Sequence, residues 1–255
     1  MLRSSAKVVL ITGGSSGIGR AAAVAFAKTG ARVVVAARRR AEGEATLRLV
    51  EAAGSEGIFV PADVRHAAEV RGMVAACVEV YGGLDYAFNN AGIEGTAFVK
   101  TADYDEETFR EVIDVNLTGV FLAMKYEIPA LLARGGGAIV NMSSVAGLIG
   151  GVVGAAYHAS KHGVIGLTKT AALDYAKAGI RVNAVCPAVI TTDMAARLFY
   201  QDPEVAKHIV AMHPIGRVGT VEEVANAVVW LCSDQSSFIT GETLRIDGGM
   251  LAGVS

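Results

Sequence analysis

Short β-branched runs alternate with longer stretches of helical spacing along almost the whole chain. Runs at 7–12, 32–37, 57–61, 84–88, 138–142, 181–186 and 242–246 are mostly apolar and closed by glycine or polar residues, the pattern of strands covered on both faces. Between them apolar residues recur every three or four positions, predicting helices at 21–28, 41–53, 67–81, 105–116, 117–132, 154–178 and 221–232. Strand and helix in alternation make right-handed βαβ units, so the expected fold is α/β: a doubly wound parallel sheet with helices on both faces. Segment 193–217 is mixed and broken at Pro203 and Pro214, which suggests one or two short helices forming a substrate lid. Thr220 and Glu223 form a capping box that opens the helix at 221.

The first strand runs into Thr12-Gly13-Gly14-Ser15-Ser16-Gly17-Ile18-Gly19 and then a small-residue helix. Gly13 permits a tight turn, Gly17 a close approach of main chain to a pyrophosphate, and Gly19 close packing of helix on strand, with the helix N-terminus facing the anion. Ser15, Ser16 and Ile18 belong to the same expected contact surface. About 20 residues on, at the ribose-reading position, the chain has Ala37 and then Arg38 and Arg39 instead of a carboxylate. A guanidinium fork suits a 2′-phosphate, so NADP(H) is the expected cofactor, with NAD(H) as the alternative. Asp63 and Val64 follow the third strand and Asn89-Asn90-Ala91-Gly92 the fourth, both at carboxyl ends, where ligands sit in such sheets.

Tyr157 and Lys161 stand at i and i+4 on the helix at 154–178, with tips able to meet. An ammonium about 4 Å from a phenol at an effective dielectric of ~20 supplies roughly 4 kcal/mol, enough to lower a pKa of ~10 by about three units. The expected result is a general acid and base near neutrality. Ser143 and Ser144 arrive at the same sheet edge. Asn116 lies among apolar residues in a helical pattern, where an unsatisfied amide is costly, so a kink and a held water are expected.

With 255 residues and 52% apolar content, one domain spanning 1–255 is expected, without linkers or repeats. A net charge of −2 gives no basic surface for nucleic acid, and small partners are expected. Cys77, Cys186 and Cys232 are too few and scattered for a disulfide framework, which suits a reducing, cytoplasmic setting. No metal site is expected, since His158 and His162 form the only i+4 histidine pair and lack a third ligand. Neither a leader peptide nor a membrane span is expected. The apolar run at 8–11 is too short for the first, and the uncharged stretch 135–157 holds seven glycines besides Asn141, Ser143 and Ser144.

In order, the turn at 12–19, Asn89 to Gly92, Ser144, Tyr157 to Lys161, and Pro187 to Thr192 resemble the motifs of the single-domain branch of the short-chain dehydrogenase/reductase family, along essentially the whole chain. The resemblance implies a Rossmann-like seven-stranded sheet and a catalytic tetrad of Asn116, Ser144, Tyr157 and Lys161. In that scheme Tyr157 protonates a carbonyl oxygen as NADPH delivers hydride, and the reverse serves alcohol oxidation. Ser144 holds the substrate oxygen, Lys161 holds the nicotinamide ribose and lowers the phenol pKa, and Asn116 positions a relay water. It further implies Asp63 and Val64 near adenine, Asn90 with Ala91 and Gly92 near ribose, Pro187, Ile190 and Thr192 near the nicotinamide, and a homotetramer. Two departures stand out: Ala188 replaces a usual glycine, and Ser16 replaces the basic residue of some NADP-preferring members. An apolar pocket is suggested by Leu148, Ile149, Phe199, Tyr200 and Met212. A non-catalytic nucleotide sensor is the competing function; an enoyl reductase would want wider Tyr to Lys spacing.

Overall fold

The structure, a computed structural model, describes residues 6–253, so the extreme ends of the expected 1–255 domain lie outside it. The first half of the chain runs β1 (Val8–Thr12), α1 (Gly17–Lys28), β2 (Arg32–Ala37), α2 (Arg40–Ala52), β3 (Gly57–Pro61), α3 (Ala67–Tyr81), β4 (Tyr86–Asn89) and α4 (Glu106–Ile113). It continues through α5 (Gly119–Arg134), β5 (Gly137–Met142), α6 (Ala155–Tyr175), β6 (Ile180–Pro187), α7 (Asp193–Phe199), α8 (Pro203–Ala211), α9 (Val221–Cys232) and β7 (Thr243–Ile246). All seven strands are parallel, in the order β3-β2-β1-β4-β5-β6-β7. This is the Rossmann-like sheet that the alternation implies. The order reverses direction after β1, and there the crevice of such a sheet opens.

Strand residues alternate between two apolar layers, as period-2 geometry requires. Val8, Leu10, Val34 and Ile139 meet Met73 of α3, Leu131 of α5 and Val164 of α6 on one face. Val9, Ile11, Val33 and Val140 meet Phe26 of α1, Val50 of α2 and Leu231 of α9 on the other. Because both layers are apolar, the strands read as unbroken hydrophobic runs. Thr12 pairs with Ala36 and Asn89, and Asn89 with Asn141, so the carboxyl ends of the central strands finish level.

Several boundaries differ from the pattern-based expectation. Helix α1 starts at Gly17, not 21: Ser16 is extended (φ −158°), Gly17 turns the chain at φ 50°, and the helix is under way before Ala21. Strand β4 runs from Tyr86, although the Asp85 main chain already bonds both neighbouring strands, its amide donating to the Val8 carbonyl (3.0 Å) and its carbonyl accepting from the Ala138 amide (3.1 Å). The expected pair of helices at 105–132 is one continuous rod: Asp114–Thr118 form a single π turn, and Ile113, Thr118 and Gly119 all keep helical angles. Helix α6 ends at Tyr175, with one 3₁₀ turn at Ala176–Ala178. The capping box of α9 forms in both directions between Thr220 and Glu223. Among the described residues no helix is long and apolar enough to cross a membrane, and the uncharged stretch at 135–157 holds β5, a turn, a loop and the start of α6.

Asp85 joins three elements at the amino edge of the sheet. Its carboxylate accepts from the Val8 amide (3.0 Å) and the Lys7 ammonium (2.9 Å), with the Arg134 guanidinium at 3.4 Å. Burial opposes its ionisation, yet the amide and the two cations outweigh burial and hold the pKa below its ordinary value. A depressed carboxylate contributes stability that is complete above the unfolded pKa of ~3.9 and is lost as pH falls through the folded value. Asp85→Asn is therefore expected to lower stability by about 1–3 kcal/mol at pH 7. In urea titrations the gap between variant and wild type should narrow below about pH 4.

Candidate active site

The glycine turn and the end of β4 are bound to each other before any ligand is considered. Thr12 Oγ1 accepts from the amides of Asn90 (3.0 Å) and Ala91 (3.1 Å), while Asn90 Nδ2 donates back to the carbonyls of Thr12 (3.1 Å) and Gly13 (3.3 Å). Gly13 has φ 64°, and a Cβ there would lie 2.9 Å from Ala91 Cα. A Cβ on Gly19 would overlap the Gly13 carbonyl oxygen and Asn90 Nδ2. Gly19 is thus required by the turn and by Asn90, not by contact between helix and strand as the motif suggested. Ser16 makes no side-chain cap to α1, and the first turn has no acidic residue. Its amides are left to an anion, the arrangement a pyrophosphate needs.

Strand β5 delivers two serines with different duties. Ser143 Oγ is buried and donates to the Lys161 carbonyl at 2.9 Å, fixing β5 to α6. Ser144 Oγ accepts from the Ala146 amide at 3.1 Å and reaches the Pro187 carbonyl only at 3.4 Å, so its proton is loosely held at the cleft. Lys161 is 2% exposed; its ammonium donates to the Met142 carbonyl at 2.9 Å and lies 5.4 Å from the centre of the Tyr157 ring.

This geometry corrects the simple electrostatic expectation for the pair. Burial pushes the Tyr157 phenol up to about 12; a hydrogen bond with Ser144 pulls it down, and the Glu94 carboxylate and the Cys186 thiol push it further up. Burial also brings Lys161 down to about 8. The Coulomb argument omitted desolvation of both partners, and the ammonium stands over the ring instead of at the phenolic oxygen.

Asn116, in the middle of the π turn, does not line the cleft. Its Oδ1 accepts from the Ile93 amide (2.8 Å), and its Nδ2 donates to the Ile93 carbonyl (2.9 Å) and to Ser160 Oγ (3.3 Å). The amide expected to hold a water is committed to clamping the loop after β4.

The cleft has a volume of about 1030 Å³, room for a dinucleotide and a small substrate. Apart from Asn116 and Gly19, the sequence-derived site residues all line it: Gly13, Ser15, Ser16, Gly17, Ile18, Arg38, Arg39, Asp63, Val64, Asn90, Ala91, Gly92, Ser144, Tyr157, Lys161, Pro187, Ile190 and Thr192. Arg39 reaches Ser16 Oγ (3.0 Å) and Glu42 (3.5 Å). Asp63 is gripped by Arg65 at 2.7 Å, and the Arg65 hydrogen bonds hold its carboxyl below the usual range. Ala188 is unstrained, since Phe98 is the only described non-glycine residue with positive φ. Of the expected pocket residues, Ile149, Phe199 and Met212 face the cleft and Leu148 and Tyr200 do not. Sequence reasoning missed Glu94, Arg197 and His158. Glu94 and Arg197 are 103 positions apart and carry no motif. His158 Nδ1 lies 3.0 Å from the Ala146 carbonyl and 2.8 Å from that of Ile149, so it carries a proton and ties the loop after β5 to α6. No metal-binding cluster occurs among the described residues.

Comparison with known proteins gives this arrangement its family. A family model described as enoyl-(acyl carrier protein) reductase matches residues 13–251. The chain is 43% identical over 249 residues to a 2,5-dichloro-2,5-cyclohexadiene-1,4-diol dehydrogenase of Sphingobium indicum, covering 97% of this chain and 98% of that one. It is 45% identical over 242 residues to a cyclohexanol dehydrogenase of an Acinetobacter species, covering 95% and 94%. The crystal structure of an NAD⁺-bound xylitol dehydrogenase superposes with a TM-score of 0.92 at 35% identity, covering 97% of this chain and all of the other. The chain belongs to the short-chain dehydrogenase/reductase family. It is an NAD(P)-dependent oxidoreductase acting on CH–OH groups.

A buried ammonium has a stability cost with a definite sign. The folded pKa of Lys161, about 8, lies below the unfolded ~10.4, so the penalty is complete below pH 8 and is relieved between the two values. Lys161→Met is expected to stabilise the ligand-free protein by up to about 3 kcal/mol at pH 7 and to remove that rise above pH 8. Thermal melts from pH 6 to 10 measure both effects.

Proposed function

We propose that the protein is an NADP(H)-dependent oxidoreductase interconverting a secondary alcohol and its ketone at the Ser144, Tyr157 and Lys161 wall of the cleft. The observation that carries the reading is the convergence of these three side chains with an uncapped helix N-terminus in one crevice. The diol and cyclohexanol dehydrogenases it resembles act, by name, on secondary carbinols, and the four-residue Tyr157 to Lys161 spacing does not suit an enoyl substrate. A nicotinamide dinucleotide, when bound, supplies or accepts the hydride, and its oxidised form adds a positive charge. Its pyrophosphate would rest on Gly13 to Gly19, its 2′-phosphate on Arg38 and Arg39, its adenine beside Asp63 and Val64, and its nicotinamide half along Asn90 to Gly92 and Pro187 to Thr192.

The chain's own residues do the proton work. The Tyr157 phenol donates its proton to the carbonyl oxygen in reduction, leaving a phenolate, and in oxidation that phenolate takes the carbinol proton. Ser144 Oγ donates to the same oxygen, and its bond to the phenol opposes the effect of burial. Lys161 holds the nicotinamide ribose and offsets the tyrosinate charge. Asn116 acts as a positioning residue through Ile93. The whole chain works as one catalytic domain, with 193–217 as a lid in which α7 and α8 cover the substrate end. A cytoplasmic homotetramer is the working form; the three cysteines, all buried and free, suit that reducing setting.

Tyr157→Phe should lower kcat/KM at least about 10³-fold while the Kd for NADPH, read by fluorescence titration, stays within about threefold. Retained turnover would overturn the mechanism, and tight cofactor binding without turnover of any alcohol or ketone by wild type would favour a nucleotide sensor. The similarity to an NAD⁺-bound enzyme makes NAD(H) the competing cofactor. Assays with both cofactors should show NADPH preferred, and Arg38→Asp should shift the preference toward NADH by about tenfold or more; an unchanged ratio contradicts the ribose argument.

A further inference from the structure

The substrate end of the cleft combines an apolar lining with a few charged side chains, one of them a carboxylate with an unusual setting. Ile149, Val153, Val189, Leu198, Phe199 and Met212 supply the apolar lining. Glu94 enters this surface from a fixed base, because the Asn116 amide holds both main-chain groups of Ile93, the residue before it. Its side chain is only 18% exposed, and its charge is the only carboxylate among the groups that shift the Tyr157 phenol. Arg197 of α7, 60% exposed, places Nε at 2.9 Å and Nη2 at 2.8 Å from the same oxygen, Oε1. Oε2 takes no hydrogen bond from a described residue. A half-satisfied carboxylate in an apolar wall seeks a donor and repels an anion. Asp193 and Glu204 also line the cleft and add to the negative side, while His158 and His208 are its nearby bases.

We propose that Glu94 determines substrate specificity: its free oxygen accepts a hydrogen bond from a second hydroxyl of the substrate, so that neutral diols are preferred to monoalcohols, and substrates bearing a carboxylate are rejected. This rests on the alcohol and ketone reading above. A site with a committed polar group discriminates most strongly against ligands that leave it unpaired, and like charges in the wall supply the rejection. The ion pair with Arg197 anchors the lid helix and offsets part of the Glu94 charge, but Asp193 and Glu204 add two further carboxylates to the same lining, so the wall stays negative, and the guanidinium occupies a single oxygen.

The test uses three ring alcohols that differ only at the carbon opposite the carbinol: cyclohexanol, 1,4-cyclohexanediol and 4-hydroxycyclohexanecarboxylate. Ratios of kcat/KM within each variant cancel any loss common to all three. Wild type should rank diol above cyclohexanol above carboxylate. Glu94→Gln should raise the carboxylate to cyclohexanol ratio about tenfold, and Glu94→Leu should in addition lower the diol to cyclohexanol ratio about tenfold. Arg197→Met should move neither ratio in those directions. Wild-type ratios in both Glu94 variants, or the same shifts in Arg197→Met, would overturn the proposal, as would turnover of other secondary alcohols but none of these three. Absence of any alcohol-dependent reduction of NADP⁺ or NAD⁺ would instead count against the underlying reading.

Discussion

The reciprocal hydrogen bonds between Thr12 and Asn90–Ala91, main-chain amides to the threonine hydroxyl one way and the Asn90 side-chain amide to the Thr12 carbonyl the other, are what the site depends on. They join the end of β1 to the end of β4 at the point where the strand order reverses. Without them the glycine turn and the loop bearing Gly92, Ile93 and Glu94 would be independent segments, each free to move on the time scale of surface loops. With them the crevice is a fixed part of the sheet edge. The strand register does the rest, since level carboxyl ends bring Ala36, Thr12, Asn89, Asn141 and Ala184 of five strands to one line.

Against that rigid frame, the interior of the cleft is electrostatically unfavourable. Burial raises one proton carrier and depresses the other, so both Tyr157 and Lys161 lean toward their neutral forms in the free protein. The phenol thereby holds its proton more tightly than a free tyrosine, and its base form is scarce until something cationic binds beside it. Functional sites of this kind are retained against stability, which the rest of the core supplies. The two apolar layers are continuous and have few polar interruptions, so they can carry such a cost.

Much of this was readable from sequence, and the reason is geometric. Parallel strands buried on both faces announce themselves as β-branched runs, and chemistry-bearing residues must follow them at the carboxyl ends. That is why Gly13, Asp63, Asn90, Ser144 and Pro187 could be placed before any coordinates. What stayed hidden depended on packing in three dimensions. The clash that makes Gly19 obligatory involves Asn90, 71 positions away, and the pair of Glu94 and Arg197 has no periodicity to betray it. The phenol pKa was misjudged because spacing along a helix reports distance and not desolvation. Asn116 was singled out as an anomaly in its helix, yet its partner Ile93 could not be named from the pattern.

The widened turn at Asp114–Thr118 also sets a phase. An α-helix advances about 100° per residue, so one residue more or fewer there would rotate all of α5. Val120 and Met124, now buried, would trade places with outward residues such as the half-exposed Phe121. The residue that clamps the loop beneath Glu94 is thus also the index mark for which side of α5 looks outward. Surface drift on that helix and drift in the crevice are mechanically tied: a lineage altering the length of this rod would have to rebuild both its outer contacts and its catalytic floor at once.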